Sequence, residues 1–106
     1  MPIRPRGIAQ PVGLIKSLNS IQHRMPPGFV KWRFTFDNDW SGDPAIFFSI
    51  VLSDDSSRPP KLRQVTSAIT SLITQELDPL NQWGLIPYFS FRSQSEQAEL
   101  KDEVFD

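Results

Sequence analysis

Cysteine is absent from the 106 residues, which excludes disulfides, thiolate catalysis and cysteine-based zinc sites. Histidine occurs once, so a Ser-His-Asp set or an imidazole-rich metal centre would depend on that single ring. His23 stands before Met-Pro-Pro with no carboxylate beside it, and it reads as a helix-end residue that favours the dipole. No apolar run approaches the ~20 residues a membrane helix needs, and residues 1–13 lack the apolar centre of a secretory signal. The expectation is a cytoplasmic protein with no membrane partner. P-loop, GxGxxG and GxSxG patterns are missing too, as are internal repeats and low-complexity tracts. No cofactor is expected, and no catalytic residue is assigned.

Charge is nearly balanced overall but not along the chain. The formal net charge is −1, yet residues 1–33 carry Arg4, Arg6, Lys16, Arg24, Lys31 and Arg33 with no carboxylate, whereas the rest sums to −7. Such asymmetry marks either an arm for an acidic partner or two ends that attract each other within the fold. The basic residues are spaced apart, unlike a nucleic-acid tract, and this favours the second reading. A chain of this size forms one domain that buries roughly two thirds of its unfolded surface.

What is present organises around residues 29–53. From 29 to 36, Val30, Trp32, Phe34 and Phe36 alternate with Lys31, Arg33 and Thr35, the period of a strand with one buried face. Residues 45–52 are almost continuously apolar, which suits a central strand covered on both sides. The intervening Asp, Asn, Gly and Pro supply a turn, so the pair reads as a hairpin. Upstream, Leu14, Ile15, Leu18 and Ile21 predict a short amphipathic helix that Pro26 and Pro27 stop. Residues 1–13 read as a flexible, basic, proline-rich arm.

Downstream, Leu62, Val65, Ile69, Leu72, Ile73 and Leu77 predict a helix over 61–77, begun by a proline and ended near Asp78 and Pro79. Residues 85–92 read as a third strand, placed at an edge by Pro87. A strand, a helix and a strand imply a crossover that sets the third strand parallel to the second. Ser93 and Glu96 match a capping box opening a last helix in an acidic tail over 93–106. The predicted fold is thus a single α+β domain over 14–106, a two-layer sandwich of order α-β-β-α-β-α on a three-stranded mixed sheet.

Three constellations could carry function. Asp37, Asp39, Ser41 and Gly42 reproduce the first half of a calcium loop, but the ligand required at position twelve falls on the apolar Phe48. Asp37, Asp39 and Asp43 are what a metal-dependent hydrolase would use, while a turn bonding its own backbone explains the same letters. The second constellation is the polar side of the sheet: Lys31, Arg33 and Thr35 share it with Tyr88, Ser90 and Arg92. Cations and rings on a sheet face are used by readers of single-stranded nucleic acid, though no glycine-aromatic recognition strand is present. The third is the apolar pair Val104 and Phe105 in the acidic tail, which reads as a docking element for a protein partner. At the strand-to-helix junction, Arg92 and Glu96 stand at a spacing that suits either an ion pair or a helix cap.

GDPAIFF at 42–48 and FRSQSEQAEL at 91–100 resemble stretches of short uncharacterised bacterial proteins. The resemblance implies a bacterial cytosolic origin and carries over no catalytic residue. By analogy of size, such proteins act with the product of a neighbouring gene, as in toxin-antitoxin modules. The reading is a non-enzymatic protein-interaction module, with homo-oligomerisation compatible. Single-stranded nucleic-acid binding through Lys31, Arg33, Tyr88 and Arg92 is the alternative, and the metal-dependent hydrolase comes third.

Overall fold

The structure is a computed structural model that describes residues 12–100. Its elements are α1 (Val12–Gln22), β1 (Phe29–Asn38), β2 (Pro44–Leu52), α2 (Pro59–Glu76), α3 (Pro79–Trp83), β3 (Ile86–Ser93) and α4 (Gln94–Leu100). A single 3-10 turn, Asp55–Ser57, precedes α2. β2 lies between β1, which is antiparallel to it, and β3, which is parallel. The architecture is the α+β sandwich of helices on a mixed sheet that the pattern predicts. Residues 1–11 of the expected arm, and Val104 and Phe105, lie outside the described residues, while residues 12 and 13 belong to α1.

The pleat of β2 decides what is inside. Ile46, Phe48, Ile50 and Leu52 point to the helical layer and are buried, meeting Leu14, Leu18 and Ile21 of α1 and Ile69, Ile73 and Leu77 of α2. Each such side chain contributes roughly 1.5–3 kcal/mol by leaving water. Ala45 and Val51, on the opposite face, are buried as well. β2 is therefore dry along its helical face, but Phe47 and Ser49 remain half-buried on the other, so the two-sided cover that its unbroken apolar run predicts is only partial.

On β1 the simple alternation fails at one residue. The register shifts between Phe29 and Lys31, so Val30 falls in a bulge and is 37% exposed. Phe29 takes the inward position in its place, followed by Trp32, Phe34 and Phe36. A bulge adds one residue and reverses the facing of everything before it, which a period-two reading cannot register. Leu62, assigned to the α2 stripe, is likewise half out of the core at 37% exposure.

The bend after α2 is filled by α3. Asp78 takes left-handed backbone angles (φ 47) and Pro79 follows it, so α2 cannot continue. Gly84 (φ 68) closes this short helix, its amide and that of Leu85 donating to the carbonyls of Leu80 and Pro79. Trp83 packs back against the core beside Gly13 of α1. At the other end of the sheet, Gly28 (φ 104) approaches Ser56 so closely that a Cβ would collide with its side chain. The Gly28 carbonyl there accepts from the Ser53 amide at 2.8 Å, tying the entry of β1 to the exit of β2.

Phe48→Ala is expected to cost about 3–5 kcal/mol by cavity formation, whereas Val30→Ala should stay within about 0.5 kcal/mol because the bulge exposes it. Urea unfolding measures both. Equal losses would contradict the bulge.

Candidate functional site

The face of the sheet turned away from α1 and α2 gathers the polar residues singled out by sequence. Pairing sets it out in rows: Asp37, Ala45 and Ile86; Thr35, Phe47 and Tyr88; Arg33, Ser49 and Ser90; Lys31, Val51 and Arg92. Lys31, Arg33, Tyr88 and Arg92 thus do share one face, with the three cations at one end and Tyr88 nearer the other. The expected cation-and-ring surface exists, but its two halves differ.

The cationic half is partly closed. α4 meets both β2 and β3, and its Gln97, itself buried, accepts a hydrogen bond from Arg92 Nη1 at 2.8 Å. Val51 lies between Lys31 and Arg92 in register and is only 1% exposed. The start of α4 is fixed by the predicted capping box: the Ser93 amide donates to Glu96 Oε1 (2.8 Å) and the Glu96 amide to Ser93 Oγ (3.1 Å). Glu96 is thereby engaged in the cap, while Arg92 turns to Gln97. Asp54 adds a second clamp, accepting from the Ser95 amide and hydroxyl at 2.9 and 2.7 Å.

The opposite half is open and aromatic. Phe47 and Tyr88 are register partners on adjacent strands and stack with centroids 5.1 Å apart and planes at 14°. Trp40, in the hairpin turn, leans over Tyr88 at 5.1 Å and 53°. Trp40 is 81% exposed, the residue that sequence reasoning passed over. Its only sequence signal was a large ring inside an acidic turn, where nothing apolar stands near enough to bury it.

Asp39 builds that turn. Its Oδ1 accepts from the amides of Ser41 and Asp43, each at 2.9 Å, and its Oδ2 accepts from the Tyr88 hydroxyl at 2.8 Å. The Asp39 amide donates to the Asp43 carbonyl, and that of Gly42 to the Asp39 carbonyl, at 2.8 and 2.9 Å. Burial alone would raise the Asp39 carboxyl. The hydrogen bonds from Tyr88, Asp43, Ser41 and Gly42 outweigh it and hold the group below its ordinary value. Tyr88 is pushed up, first by donating to Asp39, then by burial and by the charges of Asp39 and Asp43.

The metal reading finds little to use here. Asp39 is occupied by its own loop, Asp37 accepts from the neighbouring Asn38 amide at 2.7 Å, and position twelve is the core residue Phe48. Among the described residues, no three carboxylate or imidazole groups converge as a metal site would need. A groove of about 750 Å³ opens elsewhere, between α2 and the β3 edge, lined by Leu62, Arg63, Thr66, Thr70 and Phe91 among others. No helix among the described residues is long and apolar enough to cross a membrane. No protein-family model and no curated protein matches the chain.

Asp39 and Asp54 are both stronger acids in the folded chain than the unfolded value of about 3.9. Their contribution to stability is therefore complete above that value and is lost as the pH falls through the lowered folded values. Asp39→Asn and Asp54→Asn should each flatten part of the drop in urea midpoint between about pH 5 and about pH 2. An undiminished slope in both variants would show that these carboxylates do not set the acid response.

Proposed function

We propose that the protein is a cytoplasmic protein-interaction module whose docking anchor is the aromatic half of the open sheet face. The observation that carries this reading is Trp40: a ring 81% exposed on a turn whose conformation is held by hydrogen bonds to Asp39. Exposing a tryptophan forgoes the free energy of burying one of the largest apolar side chains. A ring presented on an ordered turn matches what dominates binding at protein interfaces, where tryptophan and tyrosine are enriched among the residues that matter most. Phe47 and Tyr88 extend the apolar contact on the sheet itself. The partner expected by analogy is the product of a neighbouring gene.

Single-stranded nucleic acid is the second reading, favoured by one feature: Phe47 and Tyr88 stand in register on adjacent strands, as base-stacking rings do. Against it, the rings lie at the end of the face that carries Asp37, Asp39 and Asp43, where phosphates would be repelled.

Co-expression with the neighbouring gene product should recover a stoichiometric complex. Trp40→Ala should weaken it at least about tenfold, as an interface hot spot does, while moving the melting temperature by no more than about 3 °C. A complex indifferent to Trp40→Ala would remove the proposed anchor, and one replaced by salt-sensitive binding of an oligonucleotide would favour the second reading.

A further inference from the structure

Building on the docking role of Trp40, we infer that the Trp40–Tyr88 pair receives a cationic side chain, arginine or lysine, from an extended basic segment of a protein partner. The arrangement of the rings and the charge around them select that chemistry. The rings of Trp40 and Tyr88 are in contact, 5.1 Å apart at 53°, and Trp40, 81% exposed, keeps most of its surface open to solvent beside Tyr88. Tryptophan and tyrosine faces attract a guanidinium or ammonium group within about 6 Å of the ring centre. Tyr88 is held in place beneath Trp40, because its hydroxyl donates to Asp39 at 2.8 Å and its ring stacks on Phe47.

The surrounding charge has the matching sign. Residues 34–44, which end β1 and form the turn, contain no lysine or arginine and three aspartates, Asp37, Asp39 and Asp43. On the sheet face of Tyr88, Asp37 lies in the neighbouring row toward the turn, on the side of Trp40, and Arg33 in the neighbouring row away from it. Asp43 is close enough for its charge to act on the Tyr88 hydroxyl. Carboxylates beside an exposed ring strengthen a cation–π contact and repel an anionic ligand at the same place.

The site also discriminates by shape and by prior engagement. A divalent metal would have to displace the three hydrogen bonds that Asp39 already accepts. A small free cation would meet only the surface of an exposed ring, since Trp40 is 81% exposed. A cation attached to a chain can add contacts on Phe47 and Ile86, which lie on the same face as half-buried residues. The occupant that uses every one of these features is an extended peptide with a positive side chain.

The full chain, labelled with nitrogen-15, is titrated with three probes: an arginine-glycine peptide, its glutamate-glycine counterpart and a single-stranded oligothymidylate. The Trp40 indole resonance is followed in each titration. The arginine peptide should shift it saturably, more weakly as salt rises. Trp40→Ala should weaken binding by about tenfold or more, read from the neighbouring amides, and Asp43→Asn should weaken it by about threefold or more. The unchanged amide spectrum of the α2 core serves as the control for folding. Equal or tighter binding of the glutamate peptide or the oligothymidylate overturns the inference, as does arginine-peptide binding indifferent to both substitutions. If the native partner still needs Trp40 while no arginine peptide binds, the docking role stands and the cation chemistry falls. If Trp40 is dispensable to the native complex but the arginine peptide binds at the ring pair, the reverse holds.

Discussion

β2 must be kept dry on the face it turns to the helices, and most of the remaining structure follows from that constraint. Four of its side chains enter the helical layer and two more are buried on the other side. The inward four alone contribute about 6–12 kcal/mol of gross burial, as large as the entire net stability of a small domain. A strand of this kind needs hydrogen-bonded neighbours on each edge, which β1 and β3 supply in opposite senses. The parallel partner can be reached only by a crossover, and α2 is both that connection and the principal cover. The helix is thus required twice by the same strand.

The two faces of the sheet are finished in different ways. Toward the helices, Phe29, Trp32, Phe34 and Phe36 run down β1 as successive edge-to-face contacts, and Trp32 stacks on Phe48. These rings remain partly exposed because β1 is an edge strand and the helical layer is centred on β2. On the opposite face, α4 partly closes the cationic end by packing on β2 and β3, where Gln97 meets Arg92, and leaves the end with Phe47 and Tyr88 open. An exposed ion pair between Arg24 and Glu76 joins the end of α1 to the end of α2. It links the basic N-terminal part of the chain to an acid further along, but pairs this exposed add little to stability.

The elements governed by periodicity were legible in the sequence. α2, the hairpin, the central place of β2 and the parallel β3 follow from apolar spacing and from Pro60, Pro79 and Pro87, although α2 begins at Pro59. The capping box at Ser93 was legible because its two bonds are local and its residue types specific. Val30 was misread because the bulge that exposes it is set by pairing with β2 and leaves no mark in the alternation. α3 was read as a bend because five residues are too few for a periodic signal. In the candidate site, the shared face of Lys31, Arg33, Tyr88 and Arg92 followed from strand parity, but its partial closure by α4 did not. The link between Asp39 and Tyr88 spans 49 positions, so it is a property of the folded register and not of either local sequence.

That long link explains why an exposed ring can act as an anchor. A tryptophan on a loose loop loses conformational entropy when a partner fixes it, and part of its contact energy goes to offset that loss. Here Asp39 orders the turn through the amides of Ser41 and Asp43 and ties it to β3 through Tyr88. Gly42, at φ 90, takes the one backbone conformation in the turn that a larger residue would resist. The ring under Trp40 is in turn held flat by Phe47 on the strand most deeply embedded in the fold. Order in the recognition surface is therefore borrowed from β2. Protonating Asp39 would weaken the acceptor of three hydrogen bonds at once, so acid that strains the fold would loosen the anchor with it.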